Sequence, residues 1–545
     1  MSWAPGLVAA LSGGLLLGFA TPPAVVPFAE WLVVPALAVW FAIATCGRRP
    51  LLHSYVFGCV HMAWFSWSVR HVLLPAYVGI VVVGGLYYLL ATAAVRGLPA
   101  RLRWVGFAIA VAGTFWLRAV MPEIHYPHGQ PCHALYEWPL VCRAAVLGGE
   151  PLLNALLALV ASSAWELGLS WRVAAPCWRR AARGSLVTAA LCLGCVVAGN
   201  VISSGGRASA AAASGGEAVR VVAIEPGFHP FEVFSQPPAE RRAWDERMLR
   251  ERLLQPSKAA LARGEDDVDL VVWPESILRD TLEIARIERG VARLLPHRLP
   301  ASTARLVVGA NVRRDGRLTP AAMALELPSG RVLGHQEKRW LVPGGEFLPF
   351  LSLLPASWSA SVREQFRRAM GSLPDCARGV ERPPMRTARG VRFGALVCYD
   401  NGYPGPAAEQ VERGAELLVV LSNEAWYRGG GELSQLVASS VMRACENVLP
   451  IVRCTQDGRS VAIDAGGAIV DQLPLAPAPQ PGPRTLAVSL QRGTGKPPAF
   501  TWLRRSTGWI SGLFVGLGAL AGLWRWGRAR RWAKGSVGGS LGAPG

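Results

Sequence analysis

Long apolar stretches dominate the first 205 residues of the chain, and polar positions are confined to the short gaps between them. A transmembrane helix needs about 17 to 25 predominantly apolar residues. Seven stretches of this length lie approximately at 3–20, 28–46, 53–73, 76–95, 104–121, 147–167 and 185–202. An eighth lies at 507–526. The pattern predicts a multi-pass α-helical membrane bundle of about eight spans.

Basic residues are unevenly distributed among the gaps between these stretches. Lys and Arg concentrate in short cytoplasmic loops of membrane proteins. The gaps after the second, fourth and sixth stretches and the C-terminal tail contain Arg48, Arg49, Arg96, Arg101, Arg103, Arg172, Arg179, Arg180, Arg183, Arg528, Arg530, Arg531 and Lys534. Both termini are therefore expected in the cytoplasm, and the segment between the seventh and eighth spans is expected on the outer face.

That outer segment follows a different pattern. Short β-rich runs recur, such as VRVVAIEP from residue 219, DLVVWPES from 269 and VRFGALVCYD from 391, and stretches of helical composition separate several of them. This alternation predicts an α/β layered domain with a mostly buried sheet. The predicted domains are a seven-span membrane region 1–203, an Ala/Ser/Gly-rich linker 204–218, an outer α/β domain 219–490, a final transmembrane helix 507–526 and a basic cytoplasmic tail 527–545.

Composition supports a membrane protein and narrows its function. The chain is 51% hydrophobic and only 17% charged, whereas soluble proteins carry about 25% charged residues. The net charge of +19 comes partly from the basic residues in the gaps between the predicted spans. The sequence has no cluster of basic and aromatic residues that would indicate nucleic-acid binding. Few ionisable residues fall near span centres, which argues against a transporter or proton pump.

Polar residues follow several of the predicted strands at the point where each strand ends. Glu275 comes after the apolar run in DLVVWPES, and Cys398 ends the run in VRFGALVCYD. Lys338 is at a similar strand exit, and Glu346 follows it in a Pro- and Gly-containing loop. A cysteine at the end of an apolar run is by itself most often a packing residue. Together with a base and a cation at the same sheet edge, however, it forms the set that activated cysteine chemistry needs.

The lysine is the most informative of these residues. The chain has only four lysines, Lys258, Lys338, Lys496 and Lys534, against 52 arginines. A Lys in such a chain indicates a site that needs a compact ammonium, because a planar guanidinium does not replace it. The alternatives to a functional role are that Lys338 is a solvated lysine placed by chance and that Glu275 and Glu346 are ordinary surface acids.

The segments WPES, KRWLVPGGE and VCYD, in that order, resemble the Glu, Lys and Cys motifs of the nitrilase (carbon–nitrogen hydrolase) superfamily. With the predicted spans around them, and with SNEAW at 422–426, the chain resembles the apolipoprotein N-acyltransferase branch of that superfamily. The resemblance implies an α-β-β-α sandwich for the outer domain. It places the protein in the bacterial inner membrane, with the catalytic domain on the periplasmic face.

The resemblance also assigns roles to residues. It makes Cys398 the nucleophile, Glu275 the general base and acid, and Lys338 the stabiliser of thiolate and oxyanion. Glu346, Tyr399, Asp400 and Trp426 become supporting residues, with the Tyr399 N–H as second oxyanion donor. The implied reaction moves an acyl chain from a membrane phospholipid to a lipidated apolipoprotein N-terminus through a thioester, with no cofactor and no metal.

Three interpretations remain open at this point. A lipoprotein acyltransferase is favoured, a membrane-anchored amidase or hydrolase using the same residues is the alternative, and an inactive scaffold is the third. The uncharged stretch FLPFLSLLPASW, residues 347–358, is expected to form an apolar lip beside the site, unless it packs internally on the sheet. Asp400 departs from the glutamate usual in the family, which leaves acceptor recognition open. Cys132 and Cys142 share one outer loop, where a disulfide between them is possible.

Overall fold

The fold is taken from a computed structural model of the chain. It describes residues 3–23, 27–172, 178–228, 232–262, 268–278, 281–295, 298–314, 316–370, 374–474 and 482–537.

Long helices form the two ends of the described chain. They are α1 Trp3–Ala20, α2 Val33–Cys46, α3 Pro50–Phe65, α4 Leu74–Arg96, α5 Arg103–Val120, the short α6 Pro139–Cys142, α7 Ala145–Arg172, α8 Trp178–Ser214 and, at the C-terminal end, α16 Thr501–Val537. Each of the eight predicted apolar stretches overlaps one of them. By length and apolar composition, the segments Ala29–Cys46, Leu74–Arg96, Ala145–Trp171 and Trp178–Ser214 qualify as membrane spans, and Ala4–Ala20 is a shorter apolar helix. The protein therefore has the helices of a membrane protein, and the count of eight spans stays a prediction.

These helices pack around an aromatic core. Trp40 is fully buried and contacts the rings of Phe57, Tyr88 and Phe107. The C-terminal helix α16 joins this bundle against α5, where a Cβ added at Gly113 would lie 2.2 Å from the Ser511 carbonyl oxygen. The lack of a side chain at Gly113 therefore allows α5 and α16 to approach closely, although most of the chain separates them in sequence.

The predicted linker 204–218 has a different conformation from the one expected. Helix α8 continues through it to Ser214, and only the turn before Ala218 separates the helix from the first strand. The physical reason is composition: alanine has the highest helix propensity of the residues, and four consecutive alanines lie at 210–213. The membrane region is therefore joined to the next domain by a helix.

The middle of the chain forms an α/β domain. Its strands are β1 Ala218–Glu225, β2 Leu270–Val272, β3 Thr281–Glu283, β4 Arg305–Arg314, β5 Arg317–Glu326, β6 Val332–Glu337, β7 Met385–Arg386, β8 Arg392–Val397, β9 Leu417–Ser422, β10 Ile451–Thr455, β11 Val461–Ile463, β12 Ile469–Gln472 and β13 Arg484–Gln491. Its helices are α9 Glu232–Ser235, α10 Arg241–Leu249, α11 Gln255–Ala262, α12 Ile284–Glu288, α13 Ala356–Met370, α14 Pro404–Glu412 and α15 Glu432–Asn447.

The strands form two sheets that pack face to face. One sheet has the order β13-β1-β2-β4-β5-β6, with β3 beside β4, and the other has the order β12-β11-β10-β9-β8-β7. Successive side chains of a strand point to opposite faces. Val221 of the first sheet and Val419 of the second lie in the core between the sheets, whereas Val222 and Val420 lie under the outer helices. The predicted α-β-β-α sandwich is confirmed.

Strand directions bring several strand ends to one edge of the sandwich. Strands β1, β2 and β4 run parallel, and β6 runs in the same direction because it is antiparallel to β5, which is itself antiparallel to β4. In the second sheet β8, β9 and β10 run parallel. The carboxyl ends of parallel strands lie at a common edge. The residues that follow β2, β6, β8 and β9 can therefore meet.

A buried charge network joins this domain to the membrane bundle. Helix α15 is buried along its whole length. Its Arg443 lies 2.8 Å from the Glu150 carboxylate of α7 and 3.0 Å from that of Glu446. Helix α7 breaks at Gly149, with φ +68, and the N–H of Glu150 donates to Glu446. His133, from the loop before α6, lies 3.0 Å from Glu150. A buried charge is tolerated only when it is paired, so this network fixes how the two regions are joined.

Cys132 and Cys142 are both unpaired thiols. The Cys142 thiol donates to the Leu135 carbonyl at 3.0 Å, and both cysteines are fully buried beside α15. They fill space in the junction, and the disulfide considered from the sequence is absent.

We predict that Arg443→Ala strongly destabilises the protein. The substitution leaves the carboxylates of Glu150 and Glu446 buried and without their cation, which costs about 3 to 5 kcal/mol. The control is Arg207→Ala, since Arg207 and its partner Asp464 are each about one-third exposed and such a pair contributes about 1 kcal/mol or less. Thermal unfolding in detergent micelles is the measurement. Equal melting temperatures for the two variants would contradict the stabilising role of the network.

Candidate active site

Glu275 lies in the turn directly after β2. Its side chain is 6% exposed, and one oxygen accepts a hydrogen bond at 3.1 Å from the backbone N–H of Asn423, which follows β9 of the other sheet. A Cβ at Gly309 on β4 would lie 2.6 Å from the Glu275 Cα. The glycine therefore allows the turn to lie against the neighbouring strand, and the acid is held at the boundary between the two sheets.

Lys338 follows β6 and places its ammonium between two carboxylates. Its Nζ donates to Glu275 at 2.9 Å and to Glu346 at 2.7 Å, and the side chain is 1% exposed. Burial alone would lower the pKa of Lys338, but Cys398, Glu275 and Glu346 together raise it well above its ordinary value. The ammonium is therefore charged at every physiological pH.

Glu346 lies in the loop after Lys338 and completes this arrangement. Its second oxygen accepts the backbone N–H of Val342 at 2.8 Å. Burial raises the pKa of Glu346, the Lys338 ammonium lowers it, and the Glu275 charge raises it again. The loop is folded back on its own carboxylate, which fixes the carboxylate against the lysine.

Cys398 stands at the end of β8, at the start of the 3₁₀ turn Cys398–Gly402. Its φ is +49, a left-handed conformation that is uncommon for a residue other than glycine and that is found at functional sites. Burial raises the pKa of the Cys398 thiol to about 12; Glu275 also raises it, Lys338 lowers it, Glu346 raises it and Ser422 lowers it. The Cys398 sulfur is therefore a thiol beside one ammonium and two carboxylates.

Asp400 binds the backbone that follows the lysine. One carboxylate oxygen accepts the N–H of Arg339 at 3.1 Å and that of Trp340 at 2.8 Å. Burial raises the pKa of Asp400 to about 6, although these backbone hydrogen bonds oppose the shift. The Asp400 side chain, one methylene shorter than the glutamate usual in the family, therefore binds the backbone directly after Lys338.

Tyr399 lies between the site and the membrane region. Its hydroxyl donates to the His125 carbonyl at 3.1 Å, and its backbone N–H belongs to the start of the 3₁₀ turn, where an N–H has no acceptor within the helix. In the same loop as His125, the ring of His128 also contacts Tyr399. Tyr399, whose backbone N–H is the predicted oxyanion donor, is therefore held in place by contacts with the loop between α5 and α6.

An aromatic stack backs the lysine turn. The rings of Trp340 and Tyr403 are parallel, with centroids 3.8 Å apart, and the Tyr403 hydroxyl lies 2.6 Å from His125 Nδ1. Tyr403 belongs to the polar, turn-prone stretch NGYPG at 401–405. The stretch connects the site to the membrane loop that carries His125.

Trp426 lies in the 3₁₀ turn Ala425–Tyr427 and is half-buried. It is three residues beyond Asn423, whose N–H binds Glu275. The sequence singled out SNEAW by resemblance, but it did not identify Asn423, Gly309 or Ser422 as neighbours of the site. Nothing in a single sequence distinguishes a backbone donor, a close approach or a nearby hydroxyl from ordinary strand-end residues.

The stretch 347–358 is at the surface. Leu353 is 75% exposed and Trp358 is 66% exposed, so the expectation of internal packing is excluded for these side chains. The Phe350 N–H donates to Glu123 of the membrane region at 3.0 Å. Trp358 belongs to α13, whose Ser359 hydroxyl donates to the Leu351 carbonyl at 2.8 Å. We refer to Phe350, Leu353 and Trp358 as the apolar lip.

Among the described residues, no group of three or more His, Cys, Asp or Glu side chains is arranged to hold a metal ion. The geometry instead assembles the parts of nucleophilic acyl chemistry: a thiol, an acid that can accept its proton, and donors for an oxyanion.

Family profiles match two parts of the chain. The carbon-nitrogen hydrolase profile matches residues 233–478, and the apolipoprotein N-acyltransferase N-terminal domain profile matches residues 13–163. The first match covers most of the sandwich domain, without β1 and β13, and the second covers the helices from α1 into α7.

Several curated relatives that match the chain are named apolipoprotein N-acyltransferase. The chain is 32% identical to the apolipoprotein N-acyltransferase of Geobacter metallireducens over 225 residues, 40% of each chain. It is 26% identical to that of Shewanella oneidensis over 499 residues, 84% of this chain and 86% of the relative. The match thus spans about two-fifths of the first relative and most of the second. Among solved structures, Saccharomyces cerevisiae Nit3 of the nitrilase superfamily is 15% identical with a TM-score of 0.34, covering 50% of this chain and 90% of Nit3.

The resting charge state of the site predicts how Cys398 reacts with iodoacetamide. Because the pKa of the thiol is raised to about 12, the alkylation rate should rise about tenfold per pH unit from pH 7 to 9 without a plateau. Glu275→Gln removes a negative charge that raises this pKa, so the variant should be alkylated faster than wild type at pH 8. The measurement is the rate of mass gain at Cys398, with Cys376 as internal control. A plateau below pH 8 in the wild type, or slower alkylation of Glu275→Gln, would contradict this description.

Proposed function

We propose that the chain is an apolipoprotein N-acyltransferase of the carbon–nitrogen hydrolase type, and that it transfers a fatty acyl chain from a membrane phospholipid to the N-terminal α-amine of diacylglyceryl-cysteine lipoproteins. The observation that carries the proposal is the buried Lys338 ammonium between Glu275 and Glu346 beside the Cys398 thiol. That site lies in a domain joined to a helical membrane region.

In the first half-reaction, Glu275 accepts the proton of the Cys398 thiol while the sulfur attacks the ester carbonyl of the phospholipid. The Lys338 ammonium and the Tyr399 N–H bind the negative oxygen of the tetrahedral intermediate. The C–O bond then breaks, and Glu275 returns the proton to the departing alcohol. The products are a thioester on Cys398 and a lysophospholipid.

In the second half-reaction, the α-amine of the acceptor attacks the thioester carbonyl. Glu275 accepts a proton from the attacking nitrogen, and the same two donors bind the oxyanion. The C–S bond breaks, the sulfur leaves and regains a proton through Glu275, and an amide remains on the acceptor. Each proton that Glu275 accepts is returned in the same half-reaction, so the site ends in its starting state.

The supporting residues act through position. Glu346 and Glu275 hold the ammonium from two sides, and Asp400 fixes the backbone after Lys338 through Arg339 and Trp340. Trp426 follows the segment that binds Glu275 and is proposed to border the acyl-binding space. We assign these residues to orientation of the catalytic groups.

The proposed setting is the bacterial inner membrane. Eight spans, with both termini in the cytoplasm, place the sandwich domain, residues 219–490, on the periplasmic face. Support for this orientation comes from the alternation of basic residues along the chain. The tail 527–545 would then lie against the cytoplasmic leaflet.

The apolar lip supports a lipid substrate over a soluble one. Exposed Leu and Trp side chains on a short turn and an amphipathic helix are suited to the lipid interface, and α13 also carries Arg363, Arg367 and Arg368. An amidase or hydrolase that uses the same catalytic residues on a soluble substrate would not require them. This is the observation that separates the favoured function from its alternative.

We predict that purified protein incubated with phospholipid vesicles gains the mass of one fatty acyl group. Hydroxylamine should remove the adduct, because it cleaves thioesters, and Cys398→Ala should not form it. Lys338→Arg should be nearly inactive despite its charge, since a planar guanidinium cannot occupy the compact position between two carboxylates. Intact-protein mass spectrometry is the measurement. An adduct in Cys398→Ala, or normal turnover in Lys338→Arg, would refute the respective assignment.

The apolar lip gives a second prediction. Replacing Leu353 and Trp358 together by Asp should reduce phospholipid-dependent turnover about tenfold or more, because burial of two such side chains in lipid is lost. Cleavage of a small soluble ester should change little. The control replaces Val291 and Val470, which are also exposed, by Asp. An unchanged ratio of phospholipid to soluble-ester turnover in the lip variant would favour the soluble-substrate hydrolase.

A further inference from the structure

A second buried acid lies near the site and has no part in the mechanism described above. Glu432 is the first residue of α15 and is 1% exposed. Neither oxygen of its carboxylate has a side-chain hydrogen-bond partner, and no cation among the described residues forms an ion pair with it. Burial raises the pKa of Glu432 to about 8, opposed only by the backbone amides of Glu432 and Val69. A buried carboxyl without a partner is costly, so its retention requires a reason.

Other buried polar atoms near Glu432 also lack partners. They are the Ser68 hydroxyl from the turn after α3, the Tyr126 hydroxyl from the loop after α5, and the Gln435 carbonyl oxygen one turn along α15. Gly430 brings Ser68 close, since a Cβ there would lie 2.2 Å from the Ser68 Cβ. The charge of Glu432 also raises the pKa of Tyr126, after burial. We call Ser68, Tyr126, Glu432 and Gln435 the junction pocket.

The junction pocket is close to the nucleophile. The ring centroids of Tyr126 and His128 are 5.3 Å apart, and those of His128 and Tyr399, the residue after Cys398, are 5.5 Å apart. In addition, the charges of Cys398 and Glu432 both raise the pKa of Tyr427, after burial. Tyr427 belongs to the segment that runs from Asn423, whose N–H binds Glu275, to Glu432. A molecule that occupies the pocket would therefore be within reach of the catalytic thiol.

The chemistry of the pocket selects one class of ligand. Its free atoms are a carboxylate, a side-chain carbonyl and two hydroxyls, all of which can accept hydrogen bonds. The Arg118 guanidinium carbon is 5.9 Å from the centre of the Tyr126 ring, and this group donates to the His128 carbonyl. An anionic phosphate offers few donors to these acceptors, and its charge would oppose ionisation of Glu432. A primary ammonium, with one positive charge and three N–H donors, complements the set.

We propose that the junction pocket, with Glu432 as counter-ion, binds the primary ammonium group of a substrate. This inference rests on the proposed function, which supplies two sources of such a group: the ethanolamine head group of a phospholipid donor and the α-amine of the lipoprotein acceptor. Tyr126, Ser68 and Gln435 accept its N–H donors. Binding supplies the cation that Glu432 lacks and places the ammonium-bearing molecule beside Cys398.

The first measurement does not require turnover. Dodecylamine and dodecyltrimethylammonium carry the same charge and tail, but only the amine has N–H donors. In full-length protein in lipid nanodiscs, dodecylamine should protect Cys398 from iodoacetamide at a concentration about tenfold lower than the quaternary ion does. Glu432→Gln should abolish this difference, and Glu432→Asp should retain part of it. The exposed acid Glu240 provides the control variant Glu240→Gln.

Two further measurements distinguish the sources. The rate of acyl-enzyme formation from phosphatidylethanolamine is compared with that from phosphatidylcholine of the same chains, and single-turnover transfer from preformed acyl-enzyme is followed against the concentration of a diacylglyceryl-cysteine peptide. If Glu432→Gln loses a preference for phosphatidylethanolamine over phosphatidylcholine in the first assay and behaves like wild type in the second, the pocket binds the donor head group. A half-saturating peptide concentration raised about tenfold, with an unchanged maximal rate, assigns it to the acceptor.

The outcomes separate this inference from the proposed function. If Glu432→Gln matches wild type within twofold in the protection assay, the inference is overturned and ordered water fills the pocket. If protection depends on Glu432 but no acyl-enzyme forms in wild type, the ammonium site stands and the acyltransferase proposal fails. Should Glu432→Gln not fold, Tyr126→Phe tests the same pocket by removing one hydroxyl, and an unchanged amine preference in that variant counts against the inference.

Discussion

The candidate site depends on one buried interaction, the contact of the Lys338 ammonium with the carboxylates of Glu275 and Glu346. Removing three charges from water is costly, and the cost is offset only if each charge stays paired. Glu275 therefore needs the Asn423 N–H, and Glu346 needs the Val342 N–H. The lysine turn in turn needs Asp400, which binds the next two backbone amides. The strand ends are positioned by these requirements as much as by the sheets that carry them.

The same interaction determines the reactivity of the cysteine. Burial, together with the excess negative charge that one ammonium between two carboxylates leaves beside Cys398, keeps the sulfur protonated. A thiol that is activated only during attack is protected from oxidation, because reactivity follows thiolate character. This protection would suit the periplasmic location proposed above, where the environment is oxidising. Lysine suits the position better than arginine since its single nitrogen contacts both acids.

The membrane region does more than anchor the sandwich domain. Its loop between α5 and α6 supplies His125 and His128 against Tyr399, and its helix α7 supplies Glu150 to Arg443. Both contacts are buried and polar, so they require defined geometry and cannot slide as an apolar interface can. The site is therefore held in register with the bundle.

Local sequence patterns determined the elements of this protein. The apolar stretches predicted the helices, alternation of short β-rich runs predicted the layered α/β domain, and the scarcity of lysine singled out Lys338. The order of WPES, KRWLVPGGE and VCYD carried the resemblance to the nitrilase superfamily. Tertiary structure alone decided what those residues touch. Asn423, Gly309 and Asp400 bind or border groups from strands distant in sequence, Glu150 meets Arg443 across almost 300 residues, and Glu432 is left without a side-chain partner by the packing of three separate segments. Periodicity and composition report which face of an element is buried, whereas pairing between distant side chains leaves no local pattern in a single sequence.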